Sequence, residues 1–168
     1  ALNRLRFEMV TNHNVLDLNA ELSVHIKVDK DSRMLTIQDT GIGMTRDEMI
    51  ENLGTIAQSG ARKFLDATKD QKVDFSQLIG QFGVGFYSVL MVADEVQVTS
   101  RSHRPGESAW TWTTSGGDSY TLTAADKTDR GTTITIKLKE DASEFAQDWR
   151  LEQIIHKHSD FVAFPIHV

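Results

Sequence analysis

Thr132-Thr-Ile-Thr-Ile-Lys-Leu-Lys139 alternates polar and apolar residues almost without a break. A period of two calls for a strand with one face on a core and the other in water. Residues 96–101, 110–112 and 120–123 alternate in the same way. Short turn sequences separate these runs: Arg104-Pro-Gly-Glu107, Gly116-Gly-Asp118 and Asp129-Arg-Gly131. That spacing predicts an antiparallel meander. Trp110 and Trp112 share one strand face and read as packing.

The first half has a different texture. Leu2, Leu5, Met9 and Val10 stand at helical spacing, as the tail of an amphipathic helix would place them. Residues 22–28 and 33–38 read as a hairpin turning at Lys30-Asp31-Ser32. Thr45 with Glu48 three residues on is a capping box, starting a helix that runs to about Leu53 and ends at Gly54. Further helices are expected at 56–67, at 84–92 and at 143–159, with a polar loop at 66–77 and a final strand within 161–168. Helices early and strands late predict an α+β fold, a two-layer sandwich with helices on one face of a mostly antiparallel sheet. The 168 residues fit a single domain.

Two glycine motifs stand between β-like and helix-like runs: Asp39-Thr40-Gly41-Ile42-Gly43-Met44, and Gly80-Gln81-Phe82-Gly83-Val84-Gly85-Phe86. The second lets backbone N–H groups approach a ligand at a helix N-terminus, an arrangement suited to phosphate. No Lys-Ser/Thr pair follows, so it is not a Walker A loop. No βαβ unit surrounds it, so it is not a dinucleotide fingerprint either. In the first motif a carboxylate at a strand end can accept from an adenine amino group, and the glycines leave room for a flat base. Each motif has a plainer meaning, a tight turn or an Asp-capped one. Taken together in this order they suit the two ends of ATP.

Composition narrows the rest. A net charge of −6 argues against a nucleic-acid footprint. The absence of cysteine excludes disulfides and thiolate metal sites. No apolar run approaches a membrane span. The six histidines are scattered, and no metal site is expected from them. Glu8 and Glu21 read as solvated surface.

The two glycine motifs together resemble the superfamily of gyrase B, heat-shock protein 90, sensor histidine kinases and MutL. Asn52-Leu-Gly-Thr-Ile-Ala-Gln-Ser-Gly60 and the run from Gly80 to Ser88 are similar to the heat-shock protein 90 chaperones, nearest their bacterial members. Asp148-Trp-Arg150 and the run from His158 to Pro165 resemble the close of that family's N-terminal domain. The resemblance covers essentially the whole chain. It implies that Asp39 holds the adenine amino group and that Thr132 completes the adenine-side hydrogen bonding. Gly43 and Met44 would line the base pocket, with Asn52 and Leu53 by the ribose and pocket wall. Gln81, Phe82, Gly83, Val84, Gly85 and Phe86 would meet the phosphates at the hinge of a lid over about 54–85, Phe86 also closing the sugar side. Gln58 stands where many relatives carry a phosphate-contacting Lys.

In that family a helix supplies a Glu general base and, four residues later, an Asn that holds Mg²⁺. The resemblance places both upstream of Ala1, together with an N-terminal strand. The chain as given is therefore expected to bind ATP or ADP without hydrolysing it at a useful rate. For the full-length protein the resemblance implies a cytoplasmic heat-shock chaperone. ATP with Mg²⁺ would drive lid closure and homodimer formation there, and unfolded proteins would be its clients. The alternatives are a nucleotide-binding module without hydrolysis and another ATPase of the superfamily. A histidine kinase would need a phospho-acceptor histidine region and a topoisomerase a basic DNA-facing surface.

Overall fold

A computed structural model describes residues 1–54, 85–117 and 119–168. The expected helix at 56–67, the loop at 66–77 and all but the edges of the 54–85 lid lie outside the described residues. Helix α1 (Leu2–Thr11) precedes the hairpin of β1 (Val24–Asp29) and β2 (Met34–Asp39). Helix α2 (Arg46–Met49) runs on into a π-helical turn, Ile50–Gly54. Next come α3 (Gly85–Val92), β3 (Ala93–Arg101), β4 (Ala109–Thr114), β5 (Thr121–Ala125) and β6 (Gly131–Leu138). A 3₁₀ segment (Glu140–Ala146), α4 (Asp148–His158) and the short β7 (Ile166–His167) finish the chain.

The seven strands form one sheet in the order β5-β4-β3-β6-β2-β1-β7. All neighbours are antiparallel except β1 and β7. Three of the four later strands, β3 to β5, make a meander as expected. The fourth does not continue it. β6 returns to the far side of β3 and joins the meander to the β1–β2 hairpin. Pairing β6 with both β2 and β3 puts it in the sheet's interior, where its alternation gives one face to the core along its whole length.

Period-two alternation then sorts the sheet. Val96 and Val98, Trp112, Ile136 and Leu138, and Leu35 point into a core that also takes Met49, Leu53 and Leu151 from the helical layer. Thr36, Gln38, Thr133, Thr135, Gln97, Thr99, Thr111 and Thr113 alternate with the core-facing positions, and Thr99 and Thr111 bond across strands at 2.8 Å. Trp112 is fully buried between Phe86 and Tyr120, with centroid distances of 6.0 and 5.8 Å. Trp110 packs on the same core and carries the Arg46 guanidinium over its ring at 5.3 Å.

Two further sequence expectations need correction. Helix α1 buries Leu2 and Leu5, while Val10 is 72% exposed. At about 100° per residue, Val10 lies about 140° round from Leu5, off the buried stripe. The helix expected at 143–159 is two segments. Gln147 is extended (φ −123°, ψ 128°) and breaks it between the 3₁₀ segment and α4.

Buried Arg130 ties the long connection between α1 and β1 to the sheet. Its N–H donates to Asp17 Oδ2 at 3.0 Å and its Nη2 to the Ala20 carbonyl at 3.4 Å. Trp112→Ala should cost about 3–5 kcal/mol, because the ring fills the core's centre and its neighbours are held by the sheet. Urea unfolding with an unchanged slope is the measurement, and a loss below about 1 kcal/mol would contradict that packing.

Candidate nucleotide site

Cross-strand register sets the site's first row. Asp39, the last residue of β2, lies opposite Thr132 in β6, and Thr132 lies opposite Ser100 in β3. Both Ser100 and Thr132 are buried. This is a polar row at the end of an otherwise apolar sheet face. Ser100 Oγ accepts the Met44 N–H at 2.9 Å, lies 2.8 Å from Thr132 Oγ1 and donates to the Gly131 carbonyl at 3.3 Å.

Asp39 is half-buried, and its Oδ1 accepts the Gly41 N–H at 2.8 Å. Burial pushes its carboxyl above the ordinary value, and the Gly41 and Thr132 N–H groups only partly oppose the rise. A half-desolvated carboxylate at a strand end is well suited to an N–H donor from a ligand.

The glycines that follow serve the backbone more than the base. Gly43 has φ +63°, and a Cβ there would fall 1.8 Å from the Arg101 carbonyl oxygen. Gly131 has φ +108°, and its Cβ would fall 2.1 Å from the Asp39 carbonyl oxygen. At Gly41 a Cβ would meet the Asp39 carboxylate itself at 2.6 Å. The space a side chain would need at these three positions is thus filled by main chain or by the Asp39 carboxylate. Thr40 anchors the same loop: its hydroxyl donates to the Glu21 carbonyl at 2.6 Å and accepts the Ser23 N–H at 2.9 Å.

Beyond the loop opens a cleft of about 440 Å³. Gly43, Met44 and Asn52 line it, together with Arg4, His103 and Arg104. Asn52 sits in the π-helical turn, a geometry frequent at functional sites. Its Nδ2 donates to the Glu48 carbonyl at 2.8 Å. The expected capping box is present, with Thr45 N–H to Glu48 Oε2 at 2.8 Å and Glu48 N–H to Thr45 Oγ1 at 3.3 Å. The other Glu48 oxygen, Oε1, takes Arg104 at 3.3 Å. Burial would raise the Glu48 carboxyl, but the Thr45 N–H and Arg104 outweigh it and hold it below the ordinary value.

His103 is buried. Its N–H donates to the Ile42 carbonyl at 2.8 Å, its carbonyl accepts the Leu16 N–H at 2.8 Å, and its Nε2 lies 3.8 Å from Glu8 Oε1. Ser100, His103 and Arg104 were not among the residues expected at the site. Ser100 did carry a signal, because it continues the inward phase of Val96 and Val98. His103 and Arg104 follow the strand toward a turn, with no pattern to mark them.

The structure divides the expected residues. Asp39 and Thr132 meet in the strand-end row, whereas Gly43, Met44 and Asn52 meet in the cleft, and the 39–44 loop connects the two. Leu53 and Phe86 belong to the core. Gln58, Gln81, Phe82, Gly83 and Val84 lie outside the described residues, and Gly85 begins α3. Among the described residues no group of three or more His, Cys, Asp or Glu side chains could hold a metal ion. Both Glu48 oxygens are engaged, by the Thr45 N–H and by Arg104.

Residues 8–163 match the histidine kinase-, DNA gyrase B- and HSP90-like ATPase family, and the chain belongs to that family. Within it, the chain is 48% identical over 172 residues to chaperone protein HtpG of Chlorobaculum tepidum, covering 100% of this chain and 27% of that protein. HtpG of Myxococcus xanthus is 49% identical over 168 residues, with 99% and 26% covered. For HtpG of Escherichia coli K12 the identity is 46% over 170 residues, with 100% and 27% covered. The chain spans about a quarter of the length of these curated relatives.

Gly43→Ala should destabilise by about 2 kcal/mol or more, since it combines a left-handed backbone with a main-chain collision. Chemical denaturation reads this directly, and a neutral result would mean the loop can move away from β3.

Asp39 should respond to pH in a defined sense. A carboxyl raised in the folded state contributes stability below its unfolded value, near 3.8, and that contribution is lost as pH rises through the folded value. At neutral pH the ionised group is therefore a net cost. Asp39→Asn keeps an acceptor for Gly41 and should leave the ligand-free thermal midpoint at neutral pH equal or higher. A clear drop in that midpoint would show that the charge stabilises the fold.

Proposed function

We propose that this chain is the ATP-binding domain of a chaperone of the HtpG kind. The observation that carries the reading is the half-buried Asp39 carboxylate, held by the Gly41 N–H and paired across the strands with Thr132. An adenine amino group supplies the donor that this carboxylate lacks. Asn52 and Met44, in the adjoining cleft, fit the ribose side and the base wall. Arg4 and Arg104 place cationic groups on the same cleft, compatible with phosphate. Membership of an ATPase family and likeness to HtpG support the same ligand.

In the whole protein, ATP with Mg²⁺ would close the 54–85 segment over the nucleotide and bring two copies together. That change would couple nucleotide state to the holding of unfolded proteins. Among the described residues no helix is long and apolar enough to cross a membrane; likeness to HtpG is what supports a cytoplasmic location for the whole protein. For the 168-residue chain itself, binding without turnover is favoured. Glu48 is committed at both oxygens, and Glu8 accepts from Asn12 at 3.2 Å and faces His103. Neither stands ready to activate a water.

Calorimetric titration with ATP and ADP tests the reading. Saturable binding is expected, abolished by Asp39→Asn in a protein that still melts cooperatively. Wild-type protein with no affinity for either nucleotide would refute it. Phosphate release after adding Mg-ATP separates the two activities: steady turnover by the 168-residue chain overturns binding without hydrolysis.

A further inference from the structure

Ser100 Oγ touches three groups and owns one proton. The Met44 N–H can only donate to it and the Gly131 carbonyl can only accept from it. The third partner, Thr132 Oγ1 at 2.8 Å, can do either. One arrangement satisfies all three contacts. Ser100 gives its proton to Gly131, takes the Met44 N–H, and takes the Thr132 proton as well. Thr132 is then left with lone pairs alone. Asp39, directly opposite on β2, is acceptor-only when ionised.

We propose that Ser100 is a positioning residue for base specificity: by binding the Thr132 proton it makes Thr132 an acceptor, and the acceptor pair of Asp39 and Thr132 selects a 6-aminopurine over a 6-oxopurine. This inference rests on the nucleotide reading above and deepens it. An exocyclic amino group carries two N–H donors, enough to serve both acceptors directly or through one water. A 6-oxo group sets a lone pair against a carboxylate and a second lone pair. Polar mismatch of that kind discriminates far more strongly than a change of shape. Without the Ser100 hydroxyl, the Thr132 O–H is free to turn and donate to a 6-oxo group.

The test is calorimetric titration of the full-length protein with ADP and inosine diphosphate. Wild type should prefer ADP. Ser100→Ala should narrow the ADP-to-inosine-diphosphate affinity ratio about tenfold, the scale of one buried hydrogen bond, with inosine diphosphate affinity kept or raised. Ser100→Thr keeps the hydroxyl and should keep the wild-type ratio. If Ser100→Ala weakens both ligands by one factor, the serine is merely structural and the proposal is overturned. Should Ser100→Ala not fold, Thr132→Val decides: a narrowed ratio supports the proposal and an unchanged one overturns it. A wild type that binds both diphosphates alike leaves the nucleotide reading standing and overturns this inference. A wild type that binds neither overturns both.

Discussion

Three stretches of backbone come close to collision where the central strands end, and the geometry of the site depends on that approach. At Gly43 and Gly131 a carbonyl oxygen occupies the space a side chain would take. Main-chain contacts of this kind are not relieved by a change of rotamer, so the 39–44 loop is held against the ends of β3 and β6. Closeness brings its own bonds. The Met44 N–H reaches Ser100, and the His103 N–H reaches the Ile42 carbonyl. The loop thereby behaves as an extra rung of the sheet, and the Asp39 carboxylate inherits the rigidity of three strands.

Asp39 is set against stability by the same arrangement. Its charge is partly stripped of water and only partly compensated by two N–H groups. Natural sites commonly keep such a local deficit because a ligand removes it on binding. Here the deficit is a partly desolvated carboxylate, which one more N–H donor would relieve.

Much of this was legible from residue order. The alternation of residues 132–139 marked a strand with an inner face, Thr45 and Glu48 marked a helix start, and Asp39 stood visibly at a strand end. These signals are local, and local geometry decides them. The place of β6 beside β3 was not legible, since neighbouring strands with short turns read as a meander until the sheet's other half competes for the pairing. The meaning of Gly43 was hidden for a similar reason: the atom that excludes a side chain there belongs to Arg101, far along the chain. Ser100 could have been found from phase alone, as a polar residue on the inward side of β3. Arg104 gave no signal, because its partner Glu48 is met only through the folded cleft.

Glu48 carries a consequence of its own. One of its oxygens closes the start of α2 and the other holds Arg104, so a single carboxylate belongs at once to a helix end and to the rim of the cleft. Fraying of the helix start releases the rim, and loss of the rim contact frees a carboxylate that the helix start needs. The helix start and the mouth of the cleft are therefore coupled, by no more than a partly exposed ion pair contributes, about 0–1 kcal/mol.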